Sequence, residues 1–110
     1  IALCEVQGYV YAAKRQAVKL AHVLGLHDRA AELRAAAEDL KTRFNEKFWD
    51  EELGTYALAI DGTGEPCRVR ASNAAHCLWS GIADEAKARR TAETLLAPDM
   101  FSGWGIRTLS

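Results

Sequence analysis

The sequence predicts a mainly α-helical fold in which antiparallel α-hairpins carry one inserted β-hairpin. Two long stretches repeat apolar residues at the spacing of a helix, and a third stretch alternates every second residue. Two short turns between helices also share one residue pattern. The first two observations define the helices and the hairpin, and the third indicates that the helices pair in the same way twice.

Length and charge define the class of protein. With 110 residues, 49% hydrophobic and 26% charged, the chain has the composition of one small globular domain. The net charge of -1 indicates neither a nucleic-acid partner nor an anionic membrane, and no apolar run approaches the ~20 residues of a membrane span. Three cysteines without CxxC spacing predict free thiols in a reducing cytoplasm, with no metal and no other cofactor. Because the chain opens on an apolar run without an initiator Met, we expect a piece of a longer protein.

The first two helices are predicted from their apolar stripes. The first runs from about Glu5 to Leu24 and carries apolar residues at helical spacing: Val6, Val10, Ala13, Ala17, Leu20 and Leu24. Gly25 ends this helix, and Asp28 is expected to cap the next one. The second helix extends to about Phe48 or Trp49, with the stripe Leu33, Ala37, Leu40, Phe44 and Phe48.

After the second helix the apolar period becomes that of a strand. Tyr56, Leu58 and Ile60 alternate before an Asp-Gly-Thr-Gly turn, and Val69 resumes the pattern, which predicts a β-hairpin. Because Pro66 donates no ladder hydrogen bond, we expect the returning strand to be short or to lie at an edge.

Two shorter helices follow the hairpin. Ser72 or Asn73 is expected to cap a third helix, which passes through Leu78 and Trp79 and stops at Gly81. A fourth helix is capped by Asp84 and ends at about Leu96, before Pro98. The turns after the first and third helices match as Gly, branched apolar, any residue, Asp: Gly25-Leu26-His27-Asp28 and Gly81-Ile82-Ala83-Asp84. Repeated α-hairpins indicate a solenoid or a closed toroid, and the offset between the turns exceeds the ~34-residue period of the simplest solenoid.

Three stretches are polar where packing alone does not require it. The first contains Glu5 and Gln7, followed by Gly8. The helix dipole explains a first-turn Glu, but a Gly inside a helix costs about 1 kcal/mol and suits close approach of another helix or a ligand. The second contains Asn73, which is of a type that caps helices more often than it binds ligands, and His76, which as a lone His is more often a core residue.

The third polar stretch is the terminal FSGWGIRTLS, which has neither helical nor strand period. Gly103 and Gly105 flank Trp104, so that Ser102, Trp104 and Arg107 could project together from a tight loop. The three stretches together supply aromatic rings, amides, a carboxylate and an Arg, which is the set that binds sugars through CH faces and hydroxyls.

Glycoside hydrolysis requires two carboxyl groups, and Glu5 is the convincing candidate in these stretches. The acids of the DEEL segment and of the hairpin turn are interpreted as surface and turn residues: Asp50, Glu51, Glu52, Asp61 and Glu65. The catalytic set predicted from the residues is therefore incomplete.

The segments CEVQGYVYAA, LWSGIAD and FSGWGIRTLS resemble those of bacterial glycogen-debranching, amylo-α-1,6-glucosidase-like glycoside hydrolases. Ala75 stands before His76 where relatives commonly have Gly. The resemblance implies an (α/α)6 toroid of which residues 1–110 are a single partial domain, acting on an α-glucan or oligosaccharide substrate. It places Glu5, the candidate catalytic residue, at the pocket end of one inner helix. The implied substrate-binding residues are Gln7, Asn73, His76, Ser102, Trp104 and Arg107.

The resemblance also implies a general acid upstream and a general base downstream of this region, unless Glu5 is one of them. An isolated chain of this kind is expected to be inactive and to self-associate, because its helix faces lack the remainder of the parent chain as a neighbour. The alternative is a non-catalytic helical interaction module that uses the same apolar stripes to bind a protein partner.

Overall fold

The computed structural model describes all 110 residues and confirms the mainly α-helical fold with a small β-hairpin insert. A short strand β1 (Ala2–Leu3) leads into α1 (Cys4–Val23), which pairs with α2 (His27–Lys47) as an α-hairpin. After the β segments come a 3₁₀ turn (Ser72–Ala75), the short helix α3 (His76–Trp79) and α4 (Glu85–Leu95). No helix has the length and apolar character needed to cross a membrane.

The α1–α2 turn follows from Gly25, which has a φ of +72°. The Gly25 N–H donates to the carbonyl of His22, and the Leu26 N–H donates to that of Ala21, so the turn satisfies the last carbonyls of α1. The expectation that Asp28 caps α2 is wrong. Because α2 begins at His27 directly after this turn, Leu26 occupies the capping position and Asp28 lies in the first turn.

The buried face of α1 is not the stripe that predicts the helix. Its buried residues are Cys4, Gly8, Tyr11, Val18 and Ala21. The stripe that begins at Val6 faces solvent instead, with Leu20 64% exposed and Leu24 71% exposed. The helix is therefore apolar on two opposite faces, of which one is covered in this chain.

The β segments form two small sheets rather than one long hairpin. Strands β2 (Trp49–Asp50) and β3 (Thr55–Tyr56) pair with each other, whereas β4 (Ala59–Ile60) lies between β1 and β5 (Pro66–Cys67). The predicted hairpin is confirmed as β4–β5, and Pro66 lies on an edge strand as expected. The regular alternation from Tyr56 to Ile60 is broken, because Tyr56 and Ile60 belong to different sheets.

The second interhelical turn is anchored in the core by Asn45. The Asn45 amide donates to the carbonyl of Ile82 at 2.8 Å, and its oxygen accepts from the Tyr56 hydroxyl at 2.6 Å and from the Asp84 N–H at 3.0 Å. Ile82, the branched apolar residue of this turn, is fully buried, whereas Leu26 at the equivalent position is half exposed. Asp84 lies at the capping position of α4, but its carboxylate makes no capping hydrogen bond.

The contact between α1 and α3 positions the functional candidates. Cys4 lies beside Cys77, Gly8 beside Ser80, and Tyr11 beside Gly81, so the two helices run in the same direction. A Cβ on Gly8 would lie 2.8 Å from the Ser80 hydroxyl oxygen. This confirms that Gly8 allows the close approach of another helix, and it brings the N-terminal ends of α1 and α3 together.

Candidate functional site

An exposed aromatic cluster lies where the N-terminal parts of α1 and α3 meet. It consists of Tyr9 from α1 with His76 and Trp79 from α3. The Tyr9 and Trp79 rings are 5.9 Å apart between centroids and inclined by 31°, and the His76 ring stands nearly perpendicular to both. Tyr9 is 41% exposed and Trp79 is 62% exposed, so the two rings offer an open apolar surface rather than a core contact.

Two hydrogen bonds link the rings of the cluster. The Trp79 Nε1–H donates to His76 Nδ1 at 3.0 Å, and the Tyr9 hydroxyl lies 3.4 Å from the same nitrogen. The spacing along each helix explains the assembly, because residues three or four positions apart share a helix face. Glu5 and Tyr9 are four apart on α1, and His76 and Trp79 are three apart on α3.

Glu5 is the carboxylate of this cluster. Its Oε2 lies 4.0 Å from His76 Nε2, and its side chain is largely shielded from solvent. Glu5 is also in the first turn of α1, where the helix dipole favours a negative charge. The structure therefore joins Glu5 and His76, two of the residues predicted from sequence, and places the exposed rings next to them.

Gln7 lies apart from this cluster. Residues two positions apart on a helix differ by about 200° in direction, so Gln7 and Glu5 occupy different faces of α1. Gln7 lines a groove of about 550 Å³ between α2 and the hairpin, together with Leu40, Phe44 and Ile60. Its amide nitrogen also lies 3.4 Å from the carbonyl of Leu3, within its own helix end.

The expectation that Ser72 or Asn73 caps the third helix is wrong. Ala71 precedes the 3₁₀ turn, and neither side chain makes a capping hydrogen bond. The Ser72 N–H instead donates to the carbonyl of Thr108 at 3.1 Å, in a strand-like contact with the terminal segment. Asn73 is half-buried one turn before His76, and its side chain has no hydrogen bond within the chain.

The terminal loop is held beside the 3₁₀ turn by its backbone. Ala71 and Leu109 form an isolated bridge, and a second bridge joins Phe101 to Ile106 across the base of the loop. The Ser102 hydroxyl accepts from the N–H groups of Trp104 and Gly105 and donates to the Gly105 carbonyl, so it braces the loop.

Trp104 and Arg107 are the available side chains of this loop. The Trp104 side chain is 99% exposed at its tip, and Gly103 supplies the turn with a φ of +92°. Arg107 is exposed and makes no ion pair. The loop therefore presents an indole and a guanidinium to solvent, while Ser102 is occupied within it.

The remaining acids are engaged away from the cluster. Arg68 bridges Asp50 and Glu52, and it holds the pKa of the Asp50 carboxyl below its usual range. Glu51 accepts from the Trp49 indole and from Arg90, which together lower its pKa. Glu51 and Glu52 are therefore surface residues, as the sequence indicates, whereas the Asp50 side chain is only 10% exposed and accepts from the Leu53 N–H in the turn.

Asp61 is similarly used inside the hairpin turn. It accepts from the Thr63 hydroxyl and from the N–H groups of Glu65 and Thr63, and these hydrogen bonds lower its pKa. Glu5 is thus the carboxylate that the fold leaves next to exposed aromatic rings.

Tyr9 and Trp79 are the site residues that sequence reasoning did not select. A signal for both was present, since each stands one helical turn from a selected residue, Glu5 and His76 respectively. What the sequence did not contain was that α1 and α3 meet in parallel at Gly8, which turns two separate faces into one surface.

Comparison with known protein families assigns almost the whole chain to a glycoside hydrolase domain. Residues 2–110 match the mannosylglycerate hydrolase MGH1-like glycoside hydrolase domain. No curated protein matches the chain.

Proposed function

The chain belongs to the MGH1-like glycoside hydrolase family, and we propose that its aromatic cluster forms part of the wall of a sugar-binding pocket. The observation that carries the proposal is the exposed Tyr9–Trp79 surface next to Glu5 and His76. Aromatic rings pack against the CH faces of a sugar ring, while a carboxylate and an imidazole bind its hydroxyls.

We propose α-linked glucans as the substrate class, because the glycogen-debranching enzymes that this sequence resembles act on them. The terminal loop supports this by offering Trp104 as a second stacking surface and Arg107 as a hydrogen-bond donor, and we propose that Asn73 contributes its amide to the same pocket. We propose Ser102 as the brace of this loop. Gln7 lies outside the proposed pocket wall unless the groove along α2 also receives part of a long substrate.

Catalysis requires a further carboxyl group. An inverting hydrolase uses an acid and a base about 6.5–9.5 Å apart, and Glu5 is the candidate catalytic carboxylate that lies next to the aromatic cluster. We therefore propose that residues 1–110 bind sugar without turnover, as one part of an (α/α)6 ring that other segments complete. The three unpaired thiols favour a reducing compartment such as the cytoplasm.

A second candidate substrate follows from the name of the family. Mannosylglycerate carries a carboxylate, and Arg107 offers a guanidinium that no acid of the chain neutralises. Arg107→Lys and Arg107→Gln distinguish the two substrates. An anionic substrate should lose more affinity with Gln than with Lys, because Lys keeps the charge and loses only the bidentate fork, whereas a neutral glucan should respond to both changes alike.

The test is a comparison of sugar binding and turnover. We expect maltooligosaccharides or branched limit dextrin to bind the chain, and a longer protein containing it to hydrolyse them. Trp104→Ala and Trp79→Ala should each weaken binding several-fold, and Glu5→Gln should impair binding or turnover. Leu96→Ala, at an exposed residue of the α4 end, is the control.

Three outcomes would contradict the proposal. Robust turnover by residues 1–110 alone would show that the catalytic set is complete. A preference for mannosylglycerate would replace the substrate class. If no sugar is bound, the helical interaction module becomes the better explanation of the exposed apolar residues.

A further inference from the structure

We propose that His76 and Glu5 bind one sugar hydroxyl between them, and that Trp79 positions His76 by fixing which ring nitrogen carries the hydrogen. The inference deepens the proposed function and depends on it for the source of the hydroxyl. It rests on three groups whose donor and acceptor roles are constrained by chemistry: the Trp79 indole, the His76 imidazole and the Glu5 carboxylate.

Trp79 determines the tautomer of His76. The indole Nε1–H lies 3.0 Å from His76 Nδ1, and an indole nitrogen is a donor only. Nδ1 must therefore accept this hydrogen bond. A hydrogen on Nδ1 would point at the indole hydrogen and leave two donors facing each other. The Tyr9 hydroxyl, 3.4 Å from the same atom, is also able to donate to it. The hydrogen of the neutral ring is then on Nε2, the nitrogen that faces Glu5.

His76 Nε2 and the Glu5 carboxylate are spaced so that one oxygen atom, lying beside the line that joins them, can contact both. Nε2 lies 4.0 Å from Glu5 Oε2, which is too far for a direct hydrogen bond. An oxygen placed about 2.8 Å from each would accept from Nε2–H and donate its own hydrogen to the carboxylate. A hydroxyl has both roles, whereas the ring oxygen or the bridging oxygen of a glycoside only accepts. The pair therefore selects a hydroxyl.

The exposed rings indicate where the sugar bearing this hydroxyl would lie. Tyr9 and Trp79 flank His76, and the two rings are inclined to each other by only 31°. A sugar packed against them would direct an equatorial hydroxyl from its edge toward Nε2 and Glu5. Trp79 thus has two separable roles, since its ring contacts the sugar and its N–H orients His76.

Imidazole nitrogen NMR tests the positioning role on residues 1–110 without any sugar. We expect His76 to be the Nε2–H tautomer in the unmodified chain. Trp79→Phe keeps a ring but removes the N–H, and should give a mixture in which the Nδ1–H form increases. His22 and His27 serve as internal references, because they contact each other at the α1–α2 turn. His76→Ala assigns the signal.

A matched variant separates the stronger contact from the weaker one. Tyr9→Phe removes the hydroxyl that lies 3.4 Å from His76 Nδ1, and it should leave the tautomer of His76 largely unchanged. An Nδ1–H tautomer in the unmodified chain, or a Trp79→Phe variant with the original tautomer, would overturn the positioning role whether or not sugar binds.

Titration with maltotriose tests the shared hydroxyl. Glu5→Gln should weaken binding by about tenfold or more, as expected when a hydrogen bond to a charged group is lost, and His76→Phe should weaken it several-fold, as expected for a neutral hydrogen bond. Because both residues hold the same hydroxyl, the double variant should lose little more than the worse single variant. If the loss of affinity in the double variant equalled the product of the two single losses, the two residues would not share a hydroxyl. Absence of binding by the unmodified chain would reject both the sharing and the proposed function, while the NMR result would still decide the tautomer.

Discussion

The two long faces of α1 are both apolar, yet one is buried and the other is exposed. The buried face consists mainly of small residues and one ring: Cys4, Gly8, Tyr11, Val18 and Ala21. The exposed face carries larger aliphatic side chains at both ends, such as Val6 and Leu20, with alanines between them. Small residues allow α3 to approach closely, whereas the branched residues meet no partner in this chain. A helix that is apolar all round is usually buried all round.

The difference shows that a stripe of apolar residues does not by itself identify the face that packs within these 110 residues, because both faces of α1 carry one. Gly8 is the decisive position, because the backbone of His76 lies 3.2 Å from where its Cβ would stand. The candidate sugar site lies directly above this contact. Perturbing the buried face should therefore disturb both stability and the site, and perturbing the exposed face should disturb neither.

The largest effect is expected from Gly8→Val. Its Cβ would meet the Ser80 hydroxyl oxygen at 2.8 Å, and its two methyl groups have no space between α1 and α3. We expect a loss of about 2–3 kcal/mol in the free energy of unfolding, typical of overpacking, together with loss of the Tyr9–His76 contact. Urea unfolding and the His76 NMR signal provide the measurements.

Two variants distinguish a steric effect from a general helix effect. Gly8→Ala gains about 1 kcal/mol of helix propensity but retains the close contact, so its effect should be small or destabilising. Adding Ser80→Ala removes the hydroxyl, which has no hydrogen-bond partner, and should restore stability. Ala13→Val on the exposed face should cost no more than the helix-propensity difference between Ala and Val, about 0.7 kcal/mol. If Gly8→Val were equally mild, the close contact would not be limiting.

A prediction of intermediate size concerns the rates at which the three thiols react, which depend on whether each thiol is buried or exposed. Cys4 and Cys77 are fully buried at the α1–α3 contact, and Cys67 is exposed on β5. The hydrogen bond with Cys4, together with burial, raises the pKa of the Cys77 thiol, which disfavours the reactive thiolate. Because Cys4 and Cys77 are both shielded from solvent, a thiol reagent should modify Cys67 rapidly and the other two about a hundredfold more slowly, although the hydrogen bond with Cys77 lowers the pKa of Cys4.

The same reaction reports on the opening of the contact. In Gly8→Val the labelling of Cys4 and Cys77 should accelerate, while that of Cys67 should not change. Rapid modification of all three thiols in the unmodified chain would mean that the two helices separate readily. Denaturant, which exposes every thiol, gives the upper limit for comparison.

Much of the fold could be predicted from the sequence because helical period, glycine turns and strand alternation are local signals. Gly25 and Gly81 do end helices, and the β-hairpin is present. What failed depends on contacts between distant residues. Asp28 does not cap α2 because the preceding turn runs directly into the helix, and Ser72 is paired with Thr108 rather than capping a helix.

The candidate site was predicted in part for the same reason. Polar residues near helix starts predict Glu5 and His76 as site residues, and the structure brings them within 4.0 Å of each other. Gln7 was grouped with Glu5 by proximity in sequence, although a helix turns neighbours to different faces. Tyr9 and Trp79 form one surface only because α1 and α3 run parallel, and no local pattern contains that information.

The smallest effect on folding is expected on the exposed face, where the expected effect is on association. Its residues repeat at alternating spacings of four and three, which is the a/d pattern of a helix–helix seam: Val6, Val10, Ala13, Ala17, Leu20 and Leu24. Since Leu20 is 64% exposed, Leu20→Lys should change the free energy of unfolding by less than about 0.5 kcal/mol.

The unmodified chain should self-associate through this seam at high concentration, and Leu20→Lys with Leu24→Lys should shift it toward the monomer. Leu96→Lys is the matched control, because Leu96 is similarly exposed on the α4 end and lies outside the seam. Sedimentation equilibrium over a hundredfold range of concentration measures the shift. A chain that remains strictly monomeric throughout, or an association that the Leu96 variant weakens as much as the seam variants, would show that the exposed face of α1 has no tendency to pair on its own.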